Sequence, residues 1–205
     1  MIARISSSTL FGDIQAPASK SAMQRACALA LLNNGITIIQ NPGMAADDKA
    51  AINIIQSLGA TIEFHQNNLK VTSSGNIISP AVIDCGESGL SCRMFSIIAA
   101  LANKEIVIKG GGSLLHRPMH FLCDILPQLG VQINPADCKL PFTIKGPLQA
   151  KDIEIDTSKS SQYLTGLLFA FASAAEKPAW DDLRYLEIAW LPIQEPKQIV
   201  KLIQS

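Results

Sequence analysis

The sequence carries no excess of either charge: 17 Lys and Arg stand against 17 Asp and Glu, and the formal net charge is zero. Without a global field there is nothing to hold a nucleic-acid backbone or an anionic membrane, so neither is an expected partner. Any bound anion must be met by local groups. Long apolar runs are also missing. The longest nearly apolar stretch, Leu164 to Ala175, is broken by Thr165 and Ser173 and is too short to span a bilayer. The start, Met1-Ile2-Ala3-Arg4-Ile5, lacks the basic-then-apolar layout of a signal peptide, and a cytoplasmic location is expected. Cysteines at 27, 85, 92, 123 and 138 are odd in number and form no C-x-x-C pair, which argues against a disulfide framework or zinc ribbon and for thiols packed in a core. Histidine is scarce: His65, His116 and His120 make no H-E-x-x-H signature, so neither a metal nor another cofactor is expected. Charged residues make up only 17% of the chain against 48% hydrophobic, which excludes a disordered polymer and requires a packed core.

What the chain does have is self-similarity at a period of roughly 70 residues. In the first unit, Ser19-Lys20-Ser21-Ala22-Met23-Gln24-Arg25 opens a helical run to Leu32, and Gly35 to Gln40 reads as a strand. A second helix from Asp47 to Leu58-Gly59 precedes strands at Ala60 to Phe64 and Leu69 to Thr72. The second unit opens at Gly86-Glu87-Ser88-Gly89-Leu90-Ser91-Cys92-Arg93, with a helix from Met94 to Ala102 and a strand from Glu105 to Lys109. A helix from Arg117-Pro118-Met119 to Leu129-Gly130 follows, then strands near Val131 to Ile133 and Pro141 to Lys145. Both second helices stop at Leu-Gly, as expected of glycine serving as a left-handed cap. A third unit begins at Asp156-Thr157-Ser158-Lys159-Ser160-Ser161-Gln162-Tyr163 and runs into a helix from Leu164 to Ala175. A strand at Leu186 to Trp190 and a helix from Pro196 to Gln204 complete only part of the pattern.

The first helix of each unit is apolar nearly all round, as in Phe95-Ser96-Ile97-Ile98-Ala99-Ala100-Leu101, so these helices are expected to be buried. Gly166, inside the third, implies tight packing against a neighbour. The expected fold is α/β: one domain over residues 1–205, built of units at about 10–75, 80–148 and 152–205 around buried parallel helices, the third unit incomplete.

Each inner helix opens with a hydroxyl-bearing cluster, and helix N-termini with free backbone N–H groups are anion sites by geometry. Capping consumes one hydroxyl per helix end, whereas Ser158-Lys159-Ser160-Ser161-Gln162 offers several. Arg25 follows Ser21 by one helical turn, so both can face the same mouth. Arg117-Pro118 comes after the loop Gly110-Gly111-Gly112-Ser113. Lys20, Arg25 and Arg117 form a candidate cationic set suited to a small dianionic or carboxylate-bearing ligand.

Taken together, Ala16-Pro17-Ala18-Ser19-Lys20-Ser21 with Arg25, the Arg93 helix, His116-Arg117-Pro118-Met119 and Ser160-Ser161-Gln162-Tyr163-Leu164-Thr165 resemble the 3-phosphoshikimate 1-carboxyvinyltransferases, in order and spacing, across roughly residues 5 to 178. The resemblance implies an enolpyruvyl-transferase fold, in which two domains of three βαβαββ units pack around buried helices. It implies transfer of the enolpyruvyl group of phosphoenolpyruvate to the 5-hydroxyl of shikimate 3-phosphate, a step toward chorismate and the aromatic amino acids. On this likeness Lys20 is the catalytic residue and contacts both ligands, while Ser21 and Arg25 hold the shikimate ring and its carboxylate. Ser160 and Ser161 bind the 3-phosphate, Gln162 sits between the ligands, and Gly89 and Arg117 belong to the phosphoenolpyruvate site. The related UDP-N-acetylglucosamine enolpyruvyl transferases have Asn where this chain has Ser21.

The sequence departs from the family pattern in three places. Glu87 replaces an Asn, with Leu90-Ser91 in place of Thr-Ala, and a carboxylate there repels an anion unless it turns away or pairs with a base. Glu195-Pro196-Lys197-Gln198 occupies the place of a Ser-Lys-Pro-Tyr segment, and from about Ala179 the likeness fades. Family members are also about twice as long, and on the likeness these residues are expected to make up only one of the two domains, without the one that supplies further catalytic groups. The chain is therefore expected to be inactive alone, with either a second chain supplying the missing domain or self-association. The alternative is a noncatalytic module that binds shikimate 3-phosphate or another phosphorylated metabolite.

Overall fold

Ser19 caps the first helix, α1 (Lys20–Leu32), by accepting a hydrogen bond from Ala22 N through its Oγ. The chain then forms β1 (Asn34–Gln40), α2 (Ala46–Ser57), β2 (Thr61–His65) and β3 (Asn68–Ser74). β3 lies between β1 and β2 in an antiparallel three-stranded sheet, with Ile38 opposite Lys70 and Glu63 opposite Lys70 on the other side. Next come β4 (Val82–Asp84), α3 (Gly89–Ala99), β5 (Glu105–Lys109), a 3-10 turn over Gly112–His116, α4 (His120–Ile125), a second 3-10 turn over Pro127–Leu129, β6 (Gln132–Asn134) and β7 (Phe142–Lys145). These strands form a sheet ordered β4-β5-β7-β6, in which β4 runs parallel to β5 and the other pairs are antiparallel. The remaining elements are β8 (Ile153–Asp156), α5 (Ser161–Ala174), β9 (Leu186–Trp190) and β10 (Ile199–Gln204), the strands ordered β8-β10-β9. This computed structural model describes residues 9, 11–13, 16–135, 139–156, 160–174, 186–190 and 199–204. Ser158, Lys159, Cys138 and the expected helix start at 196–198 lie outside the described residues.

The core runs along α1, α3 and α5. Every residue of α3 except Arg93 is buried, with Met94, Phe95, Ile97 and Ile98 fully so. Each such side chain contributes roughly 2 kcal/mol by leaving water. α1 and α5 are less enclosed than their composition suggests: Leu29 is 53% exposed, and Leu164, Leu168 and Phe169 are only partly buried. Gly166 meets the expectation of close packing, since a Cβ there would lie 2.9 Å from the Met94 carbonyl oxygen and 3.1 Å from Ile97 Cδ1. Gly59 and Gly130 end their segments with φ of +118° and +81°, a region open to glycine.

The structure corrects the sequence reading in several places, among them the start of α5 at Ser161 rather than Leu164. The inner helix of the second unit starts at Gly89 rather than Met94, because Ser88 caps it by accepting from Ser91 N at 3.2 Å. The helix expected from Arg117 to Leu129 is broken. Pro118 holds Arg117 in an extended conformation (φ −85°, ψ 130°), so α4 starts only at His120, and Pro127, which lacks an N–H, ends it. Over its described part, residues 199–204, the expected helix from Pro196 to Gln204 is instead the strand β10, paired with β8 through Ile199 opposite Asp156 and with β9 through Val200 opposite Trp190. The β-branched residues Ile199, Val200 and Ile203 suit that pairing. Finally, Cys27, Cys85 and Cys92 are buried free thiols as expected, but Cys123 is disulfide-bonded.

Candidate functional site

At the N-terminus of α1, Ser19 is used in capping, which leaves Lys20 and Ser21 at the helix mouth. Lys20 Nζ pairs with Asp47 Oδ2 at 2.9 Å, the lysine side chain 57% exposed, so the first turns of α1 and α2 are joined at the surface. An exposed pair of this kind contributes at most about 1 kcal/mol, so Lys20 is held without being locked. Arg25 turns back along its own helix and donates from Nη1 to the Ser21 carbonyl at 3.1 Å.

At the N-terminus of α3, the fully buried Gln24 of α1 reaches across the helix interface. Its Oε1 accepts from Ser88 Oγ and from Ser91 Oγ, each at 2.9 Å, and its Nε2 donates to the Lys20 carbonyl at 3.4 Å. Two buried hydroxyls and a buried amide therefore satisfy one another and fix the mouth of α1 against that of α3. Gly89 gives room to cations: a Cβ there would lie 2.9 Å from Arg117 Nη1 and 3.3 Å from Arg93 Nη1. Arg117 Nη2 also donates to Ser113 Oγ at 3.3 Å, and Glu87 Oε2 accepts from Ser113 N at 3.4 Å.

At the N-terminus of α5, Ser160 Oγ accepts from Gln162 N at 3.3 Å. Gln162 Oε1 accepts from Arg93 Nη1 at 2.8 Å, and Tyr163 Oη accepts from Arg93 Nε at 3.2 Å. Burial pushes the Tyr163 hydroxyl's pKa up, and the Arg93 guanidinium opposes that shift.

These three helix ends open onto one cleft of about 370 Å³, lined by Lys20, Ser21, Gln24, Asp47, Glu87, Gly89, Leu90, Ser113, Arg117 and Gln162. It is a polar cleft lined by residues from the first turns of three helices, with an ammonium, a guanidinium and an amide among them. Its two cations, Lys20 and Arg117, are matched by two carboxylates, Asp47 and Glu87.

A sequence model of the EPSP synthase (3-phosphoshikimate 1-carboxyvinyltransferase) family matches residues 5–183. The chain belongs to the EPSP synthase family. Among curated relatives, the 3-phosphoshikimate 1-carboxyvinyltransferase of Clostridium kluyveri is 34% identical over 167 residues, covering 81% of this chain and 39% of that protein. The protein of the same name from Thermococcus kodakarensis is 35% identical over 166 residues, covering 81% of this chain and 40% of its own length. The solved EPSP synthase of Acinetobacter baumannii superposes with a TM-score of 0.74 at 23% identity, over 94% of this chain and 46% of that one, a likeness of fold. The chain thus spans about two fifths of the length of the curated relatives it matches. Among the described residues, no helix is long and apolar enough to cross a membrane.

Of the site residues expected from the EPSP synthase likeness, Lys20, Ser21, Gly89, Arg117 and Gln162 line the cleft. Arg25, Ser160 and Ser161 do not. Arg25 is occupied by Ser21, Ser160 by the Gln162 backbone, and Ser161 accepts from Thr165 Oγ1 through its carbonyl at 3.2 Å. Sequence reasoning did not single out Gln24, Asp47 or Ser113 as site residues. The signal for Asp47 was its place in the first turn of a helix, where a carboxylate suits the dipole and can reach a neighbouring cation. Gln24 gave no such signal, because its partners are 64 and 67 residues away.

Proposed function

We infer that this chain is the shikimate-3-phosphate-binding half of an enolpyruvyl transferase, acting in the transfer of the enolpyruvyl group of phosphoenolpyruvate to the 5-hydroxyl of shikimate 3-phosphate with release of phosphate. The observation that carries this reading is the convergence of the α1, α3 and α5 N-termini, with Lys20, Arg117 and Gln162, on a single cleft. Helix N-termini and two cations at one mouth suit a ligand that bears both a phosphate and a carboxylate. Preorganised donors of this kind also stabilise charge that develops during addition and elimination.

In this reading Lys20 is the catalytic residue and touches both ligands. Ser21 and Arg25 hold the shikimate ring and carboxylate, Ser160 and Ser161 the 3-phosphate, and Gln162 lies between the two molecules. Arg117 and Gly89 serve the phosphoenolpyruvate side. These roles follow the family likeness, and the shared cleft supports them for Lys20, Ser21, Gly89, Arg117 and Gln162. Because Asp47 and Glu87 offset Lys20 and Arg117, this half holds phosphoenolpyruvate weakly without cations from elsewhere. The chemistry requires a closed, water-excluding cleft, so turnover depends on a complementary half, in the same polypeptide or in a second chain.

Isothermal calorimetry of the chain with shikimate 3-phosphate, against shikimate and inorganic phosphate as controls, tests the reading. Binding that is lost in Arg25→Ala and in the Ser160→Ala, Ser161→Ala double variant supports it. No binding at millimolar ligand overturns it. Turnover that appears only when the complementary half is added separates the enzyme from a noncatalytic binding module.

A further inference from the structure

Arg93 is the one residue of α3 that is not buried, and its guanidinium donates to two neighbours. Nη1 lies 2.8 Å from Gln162 Oε1, and Nε lies 3.2 Å from Tyr163 Oη. A guanidinium has only donors, so the Gln162 atom that faces it must be the amide oxygen, and the amide nitrogen points the other way. Gln162 is part of the cleft lining. Tyr163 anchors the arrangement from behind. It is buried, its ring stacks on Phe121 with centroids 4.3 Å apart at 18°, and its hydroxyl donates toward Met119 Sδ at 3.5 Å. The Arg93 guanidinium carbon also lies 5.5 Å from the tyrosine ring centroid. Gly89 completes the fit, since a side chain there would crowd Arg93 Nη1.

We propose that Arg93 is a positioning residue: held by Tyr163, it takes the Gln162 amide oxygen so that the amide turns its N–H donors to the cleft, which makes that wall selective for an acceptor-rich anion. A lysine cannot do this, because one ammonium on a flexible stem does not reproduce two fixed donors on different partners. The ligand arm of the test rests on the shikimate 3-phosphate reading of the cleft; the spectroscopic arm does not.

In the ligand-free chain, NMR reads the Gln162 side-chain NH2 pair and the Arg93 Nε–H directly. Arg93→Lys is expected to move both Gln162 amide resonances, and Tyr163→Phe to speed solvent exchange of the Arg93 Nε–H by about tenfold. Gln162 resonances unchanged in Arg93→Lys overturn the proposal. In calorimetry with shikimate 3-phosphate, Arg93→Lys is expected to weaken binding about tenfold in the natural background and by no more than about twofold in a Gln162→Ala background. An equal loss in both backgrounds overturns the proposal, because Arg93 then acts on the ligand itself. If the unaltered chain does not bind shikimate 3-phosphate, the functional reading fails, and the resonances alone decide the role of Arg93.

Discussion

Glu87 Oε2 accepts a long hydrogen bond, 3.4 Å, from the Ser113 backbone N–H, tying the entrance of α3 to the turn that carries Arg117. The carboxylate is nonetheless part of the cleft lining, so its charge is felt where an anion would bind. It neither turns fully away nor pairs with a base: its partner is a backbone amide.

The consequence is measurable. Glu87→Gln keeps an acceptor for Ser113 and removes the charge, and Glu87→Asn restores the family's amide. With the charge removed from the wall of a solvent-rich cleft, either change should tighten phosphoenolpyruvate or inorganic phosphate about three- to tenfold by calorimetry. Unchanged affinity would show that water screens the carboxylate completely.

Gly166 sets the distance between α3 and α5. Because an alanine Cβ would meet the Met94 backbone at 2.9 Å, and the backbone cannot rotate aside as a side chain can, Gly166→Ala forces the helices apart. Chemical denaturation should show a loss of roughly 2 kcal/mol, against the gain of up to about 1 kcal/mol that this substitution brings to an unconstrained helix. A stabilised variant would mean that α3 and α5 pack more loosely than described.

These particulars also show what could be read from sequence. Gly166 announced a close helix contact because glycine inside a helix needs a reason, and the contact with Met94 supplies it. The hydroxyl clusters at Ser19, Ser88 and Ser160 announced helix mouths, and three mouths do share a cleft. The segment 199–204 was misread because its apolar residues satisfy a helical spacing as well as a strand. Its pairing to β8, through Ile199 and Asp156, is a non-local fact. The break at Arg117-Pro118 is legible in principle, since a residue before proline avoids the helical region, but proline is also welcome in a first helical turn, so the sequence alone leaves both open.

Gln24 was illegible for the same non-local reason, and its role can be tested. Gln24→Leu leaves the hydroxyls of Ser88 and Ser91 buried without their shared acceptor, so about 3 kcal/mol of stability should be lost in urea or thermal denaturation. Ser91→Ala in the natural background, which leaves Gln24 still bonded to Ser88, should cost only about 1 kcal/mol. Combining Gln24→Leu with Ser91→Ala should recover part of the larger loss. Strict additivity of the two would argue that the three groups do not act as one network.

Cys27 supplies a prediction about pH. Burial in α1, with the Asp48 negative charge nearby, pushes its thiol from 9.0 to about 12. Asp48 is itself only 2% exposed, its Oδ2 accepting from Ala45 N at 3.0 Å. A raised folded-state pKa means that the folded chain keeps a proton that the unfolded chain has released, so between about pH 9 and 12 stability must fall as pH rises. Below pH 9 the thiol is protonated in both states and contributes no slope. For this one group the loss reaches roughly 1 kcal/mol by pH 10. Urea denaturation at pH 8 and at pH 10 should therefore show a smaller drop in Cys27→Ala than in the natural chain, whatever the other titrating groups do, because they are common to both. Equal drops in the two proteins would place the Cys27 thiol within reach of water.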